Sequence, residues 1–172
     1  MDVELIQADT PALVEVAREL MLEYSRGIEV DLCFQGFDRE LAELPGRYSP
    51  PLGRLILARC GDGFMGCVAL RPHEPTICEM KRLYIRPAAR NRGLGRLLAT
   101  AVINAAQDIG YDRMRLDTLS SMKEAIKLYQ SIGFKPISPY CTNPSDLAVY
   151  LELDLTAIAA ERTRPLNAAR KQ

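Results

Sequence analysis

Apolar residues change period along the chain, and each period predicts an element. Val3 to Ile6 reads as a short strand. Thr10-Pro11 then supplies an N-cap and a first-turn proline for a helix reaching about Tyr24, with Leu13, Val16, Ala17 and Leu20 on one face. Gly27 to Gly36 is expected to be loop, and Asp38 to Leu44 a second short helix that Pro45-Gly46 and Pro50-Pro51 stop. Leu55 to Cys60 and Phe64 to Leu70 flank Gly61-Asp62-Gly63 as the arms of an antiparallel hairpin, and Pro72 and Pro75 bound a further strand, Ile77 to Ile85.

The helical period returns at Leu94, Leu97, Leu98, Ala101, Val102, Ala105 and Ile109, and Gly110 follows as a cap. Met114 to Leu119 reads as a strand reached by crossover, hence parallel to the strand ending at Ile85. Ser121-Met122-Lys123-Glu124 matches a capping box for a helix that Gly133 closes. A short strand from Lys135 to Ser138, a turn-rich loop from Pro139 to Pro144 and a last strand from Val149 to Leu155 complete the pattern. The expected fold class is α/β, a mixed and mostly antiparallel sheet flanked by helices. It forms one domain over residues 1–155, with a weakly docked tail over 156–172.

Charge alters this picture locally rather than globally. Twenty-two basic residues balance twenty-two acidic ones, so no overall field draws the chain to nucleic acid or to an anionic membrane. Five cysteines without a CxxC pair, and His73 as the sole histidine, give neither a disulfide framework nor a metal set. The acidic start MDVELIQADT has no signal-peptide core, and a reduced, cytoplasmic protein is expected.

Against that neutral background, Lys81 to Arg96 (KRLYIRPAARNRGLGR) holds six basic side chains and no acidic one. A helix start normally attracts Asp and Glu, because its dipole and unpaired N–H groups favour negative charge. Arg86, Arg90, Arg92 and Arg96 crowded there predict an external anion such as a ligand phosphate. Gly93 and Gly95 remove the side chains that would keep backbone N–H groups from closing on it. The dinucleotide fingerprint is excluded, since Leu98 stands where its third glycine belongs, and no Lys-Ser/Thr pair makes a P-loop.

Three segments in order then resemble one family. Arg90-Asn91-Arg92-Gly93-Leu94-Gly95 resembles the R/Q-x-x-G-x-G/A signature of GNAT acyl-CoA N-acetyltransferases. Glu79-Met80-Lys81-Arg82-Leu83-Tyr84-Ile85 resembles their central strand, and Ala125-Ile126-Lys127-Leu128-Tyr129 with Ile132-Gly133-Phe134 resembles their A-x-x-x-Y and GF helix pattern. The resemblance spans roughly residues 3 to 155 and implies that the parallel strands splay to receive acetyl-CoA as co-substrate, without metal.

By the same resemblance, Arg90, Asn91, Arg92, Gly93, Leu94, Gly95 and Arg96 would hold the coenzyme A diphosphate. Leu83, Tyr84 and Ile85 would lie along the pantetheine arm, with Ala125 beside it. A strand N–H would meet the thioester carbonyl, where negative charge develops. Tyr129 matches the helix tyrosine that protonates the departing thiolate, and a phenol does so without carrying charge at neutral pH. Glu79, six residues before Ile85, is the base candidate, acting directly or through water. Met122 stands where many relatives carry Asn.

The acceptor implied is an amine on a small molecule or peptide, and a homodimer is left open. Its walls are expected from Tyr24 to Tyr48 and from Pro139 to Ser145, with Asp31, Asp117 and Tyr140 as substrate candidates. Glu29 and Asp31 would draw an ammonium, whereas Arg47, Arg71 and Lys81 would pair with a carboxylate, so charge alone selects no acceptor. His73 is expected on a surface loop and the cysteines as core fillers. The competing readings are a non-catalytic acyl-CoA-binding regulator and a nucleic-acid binder, the latter disfavoured by neutral charge and the lack of an aromatic platform.

Overall fold

A computed structural model of the chain describes residues 2–28, 32, 36–143 and 145–157. Seven strands, β1 (Val3–Gln7), β2 (Arg54–Cys60), β3 (Gly63–Glu74), β4 (Ile77–Ile85), β5 (Arg113–Leu119), β6 (Lys135–Pro136) and β7 (Ala148–Asp154), form one sheet in the order β1-β2-β3-β4-β5-β7-β6. Every neighbouring pair is antiparallel except β4 and β5. The helices are α1 (Pro11–Gly27), α2 (Phe37–Ala42), α3 (Leu94–Ile109) and α4 (Lys123–Ile132), and α3 makes the crossover that a parallel pair requires.

Alternation along the strands feeds two cores. Val68, Leu70, Cys78, Met80, Met114 and Leu116 face α3 and Tyr129 of α4. Leu55, Leu57, Cys67 and Ala69 face the other way, against Leu20 and Met21 of α1 and Phe37 of α2. α1 begins as its sequence predicts, with the Thr10 hydroxyl accepting the Leu13 N–H at 3.3 Å and Pro11 in its first turn.

β4 does not keep its alternation. β3 pairs Cys67 with Tyr84 and Ala69 with Lys81, so the single residue Val68 opposes both Arg82 and Leu83. Arg82 absorbs the extra residue with a left-handed φ of 57°. Lys81 and Arg82 therefore share the α1–α2 face, and beyond them Leu83 and Ile85 pack on the α3 side and Tyr84 on the opposite side. A regular strand would aim Arg82 into the α3 core.

Several expectations are corrected. β3 continues through Pro72 to Glu74, with Pro72 paired to Cys78 and a shift in register between Pro72 and Glu74. His73 thus lies on a strand, its ring 5.2 Å from that of Tyr140, rather than in a surface loop. The capping box at Ser121 does not form: the Met122 N–H bonds the Leu119 carbonyl, the turn moves the start along, and α4 begins after Met122 without a side-chain cap. The second helix covers Phe37–Ala42, and the last two strands are Lys135–Pro136 and Ala148–Asp154. Most of the expected tail lies outside the described residues.

Gly66 of β3 sits opposite Ile85, and a Cβ there would stand 2.5 Å from the Tyr84 carbonyl oxygen and 2.7 Å from Ile85 Cδ1. Gly66→Ala is expected to lower unfolding free energy by about 1–3 kcal/mol, the usual cost of overpacking. Urea denaturation measures this, and an unchanged midpoint would contradict the close approach.

Candidate active site

β4 and β5 pair only at Ile77 with Arg113, Cys78 with Met114 and Glu79 with Arg115. Past Glu79 the strands part, and two cavities open at the wedge. The larger, with about 680 Å³ of space, runs along Leu83, Tyr84 and Ile85 to Arg90, Asn91, Gly93, Leu94 and Gly95, with Ala125 across it. The smaller is lined by Lys81, Arg82, Asp117, Thr118 and Asn143 beside Met80 and Leu116. Tyr24, Ile28, Leu83, Leu119, Met122 and Tyr129 line both, so the cavities meet at the parting strands.

At the far end of the larger cavity, α3 starts without a side-chain cap and without an acidic residue in its first turn. Asn91 (φ 60°) and Gly93 (φ 80°) take left-handed backbone, which concentrates N–H groups at the turn. A Cβ on Gly95 would already be 3.4 Å from Leu128 Cδ2, so a longer side chain there would enter the groove. Such a turn has the backbone geometry to receive an anion.

The arginines divide their duties. Arg86 belongs to the fold: its guanidinium bonds Glu23 at 2.6 and 3.0 Å, Glu19 at 2.7 Å and the Phe64 carbonyl at 2.8 Å, tying β4 to α1. That corrects the expectation that it waits for an external anion. Arg90 donates to the Ile85 carbonyl at 3.1 Å and Arg96 to Ser131 Oγ at 2.6 Å. Arg92 and Arg96 stand outside the lining of the groove.

Around the smaller cavity, charges are buried in pairs. Glu79, 2% exposed, accepts bonds from Arg71 at 2.6 and 2.7 Å and from the Tyr140 hydroxyl at 3.0 Å, and it lies 3.7 Å from Lys81 Nζ. Lys81 Nζ donates to Asp117 at 2.8 Å, and Asn143 donates to the other Asp117 oxygen at 3.3 Å. Arg82 holds Glu40 of α2 with two bonds of 2.7 and 2.9 Å, and Tyr48 donates to the same carboxylate at 2.8 Å. Glu79 and Tyr140 form this layer without lining either cavity; Asp117 lines the smaller. Asp31 and Glu29 lie outside the described residues.

Comparison with known proteins bears directly on this geometry. The acetyltransferase (GNAT) family model matches residues 14–134. The chain belongs to the GNAT family. It is 43% identical over 139 residues to an uncharacterised N-acetyltransferase of Schizosaccharomyces pombe, covering 80% of this chain and 85% of that protein. An uncharacterised N-acetyltransferase of Escherichia coli is 34% identical, with 86% and 90% covered. An acetyltransferase of Salmonella typhimurium solved with its cofactor acetyl-CoA shares the fold at TM-score 0.65 and 19% identity, over 89% of this chain and 94% of that one. The protein is an acyltransferase of the GNAT type.

Within this GNAT frame, environment sets the protonation states. Burial raises the Tyr129 phenol well above its ordinary value, with Tyr24 and Asp117 adding to the shift, so it stays protonated through neutral pH. Its hydroxyl bonds no other described residue, and its ring packs edge-on to Phe134 at 5.7 Å. Burial raises Tyr140 as well, reinforced by Glu79. Burial alone would raise Asp117, but Lys81, Arg82 and Asn143 outweigh it and hold the carboxyl below its usual range. Glu40 is lowered in the same manner by Arg82 and Tyr48 against its own burial. Burial pushes the Cys67 and Cys78 thiols up to about 12, which keeps them protonated and unreactive.

Sequence reading misses Met80 and Arg82 as site residues, and it reaches Tyr24, Glu40 and Asn143 only as members of the expected wall segments. Tyr24 carries a faint signal, since it continues the Ala17, Leu20, Met21 face of α1, whereas Glu40 meets Arg82 across 42 positions with no local pattern. Among the described residues no helix is long and apolar enough to cross a membrane, and no group of three or more His, Cys, Asp or Glu side chains forms a metal set.

Because Asp117 and Glu40 titrate below their ordinary values of 3.8 and 4.5, the stability they contribute is complete above those values. It is lost as pH falls through the lowered folded values. Asp117→Asn is expected to flatten this acid limb in melting temperature against pH. An acid limb as steep as that of the wild type would contradict the assignment.

Proposed function

We propose that the protein transfers the acetyl group of acetyl-CoA to a primary amine of a small molecule or peptide by direct attack. The observation that carries this reading is the junction of the two cavities beside Tyr129, one ending in a backbone anion cradle and the other in a polar wall. The cradle fits a diphosphate: its amides are uncapped, its first turn lacks acid, and side chains beyond Cβ would fill it. Amides from Arg90 to Arg96 would hold the diphosphate, with Leu83, Tyr84 and Ile85 along the pantetheine arm and Ala125 opposite.

Acetyl-CoA supplies the acetyl group as a thioester, whose carbon–sulfur bond breaks as the new carbon–nitrogen bond forms. Backbone N–H groups of β4 beyond the bulge stabilise the charge gathering on the carbonyl oxygen. Tyr129 gives its phenolic proton to the departing sulfur, a role supported by its position at the junction and by burial that keeps the phenol protonated. Glu79 takes the proton lost by the attacking amine through water, since buried Arg71 and Tyr140 surround its carboxylate. Asp117, Tyr140 and Asn143 shape the acceptor side. Asp117 is a weak base because its pKa is depressed.

Coenzyme A thiol release with a panel of amines tests this directly. Turnover is expected for the wild type, with kcat about 100-fold lower in Tyr129→Phe. Gly95→Leu is expected to raise the KM for acetyl-CoA by about 10-fold or more while the fold is kept. Equal turnover in both variants would remove the site assignment, and tight coenzyme A binding without turnover on any amine would favour a regulator.

Glu79→Gln should turn over about 100-fold more slowly than the wild type while its dissociation constant for coenzyme A stays unchanged. A folded variant that keeps the wild-type rate would exclude Glu79 as base.

A further inference from the structure

Arg82 is a side chain of the central strand that takes no part in the steps above, yet it occupies an unusual backbone conformation. Its φ of 57° lies in the left-handed region, where a residue with a Cβ is disfavoured unless its surroundings compel it. Those surroundings are specific. The guanidinium is 3% exposed and bonds both oxygens of Glu40, which is 12% exposed. Its carbon lies 5.0 Å from the centre of the Phe37 ring, its carbonyl accepts from Cys67 Sγ at 3.4 Å, and Tyr48 fixes Glu40 from behind. The group is anchored to α2 on one side and to β3 on the other.

The register of β4 depends on this anchorage. With the bulge, Leu83 and Ile85 face α3 and Tyr84 faces away; a slip of one residue would exchange the two sets and turn the backbone N–H groups of this segment with them. β5 supplies no ladder here to hold β4 from its other edge, since their pairing ends at Glu79. We infer that Glu40 and Arg82 are positioning residues, whose bidentate pair holds the bulge in the register that aims a β4 N–H at the thioester carbonyl. The inference rests on the acyl-transfer reading above.

The readout is the carbonyl stretch of bound acetyl-CoA labelled with carbon-13 at its carbonyl, followed by isotope-edited infrared difference spectroscopy, which needs no knowledge of the acceptor. In the wild type the band should lie below that of free acetyl-CoA, as a hydrogen-bonded carbonyl requires. Two variants break the anchorage differently. Arg82→Lys keeps the charge and loses the bidentate fork. The double variant Arg82→Gly with Glu40→Gln removes both charges together, leaves neither orphaned, and places a residue that accepts φ near 57°.

Circular dichroism shows which variant is folded, and either one suffices. The band should move back toward that of free acetyl-CoA, with dissociation constants for coenzyme A within about twofold of the wild type. With a competent amine, kcat should fall roughly ten- to 100-fold while the KM for acetyl-CoA hardly changes. A band that stays at the wild-type position in a folded variant overturns the inference and leaves the acyl-transfer reading intact, whatever happens to affinity. Failure of the wild type to bind acetyl-CoA at all overturns both.

Discussion

Everything at the site hangs on the change of parity in β4 at Arg82. Upstream, the strand alternates between an apolar face toward α3 and a charged face carrying Glu79 and Lys81. Downstream, the alternation is reversed, so Leu83 and Ile85 line the α3 side and Tyr84 meets α1, its hydroxyl within 3.3 Å of Glu23. One residue in left-handed backbone joins the halves. β5 has already left β4 past Glu79, so a strand whose ladder is lost on one edge is instead pinned through a side chain to α2.

Charge burial fits this account better than a stability argument does. Arg71–Glu79, Lys81–Asp117 and Arg82–Glu40 set three cations against three anions in one layer at the smaller cavity. Buried pairs are near neutral as net contributors to folding and costly to break, so their effect is to fix geometry. The layer is self-compensated, so these three pairs add no net charge to the wall of the smaller cavity. Asn143, on the loop after Tyr140, bonds Asp117, and Tyr140 bonds Glu79, so that loop is clamped onto the sheet at two points.

Much of this was legible in the sequence, for physical reasons that differ by element. The apolar repeat from Leu94 to Ile109 announces α3, because a helix with one buried face must repeat near every 3.6 residues. The glycines at its start announce the cradle, since backbone approach to an anion excludes side chains. Hairpin and crossover followed from turn residues and handedness. Arg82 was invisible: its partner Glu40 stands 42 positions earlier, and no local pattern encodes such a partner. Arg86 misled for the same reason, because its carboxylates arrive from α1, Glu23 standing 63 positions away and Glu19 67. The strand expected over Phe64 to Leu70 runs on through Pro72 to Glu74, where its register against β4 shifts.

The most direct measurement for the central claim, that the two cavities meeting at Tyr129 are the donor and acceptor halves of an acyl-transfer site, is a crystal structure with coenzyme A. The account predicts the diphosphate against the amides between Asn91 and Arg96, the pantetheine arm along Leu83–Ile85 between the parted strands, and the sulfur within hydrogen-bond reach of the Tyr129 hydroxyl. Coenzyme A bound with its sulfur away from that junction, or lying elsewhere on the protein, would contradict it.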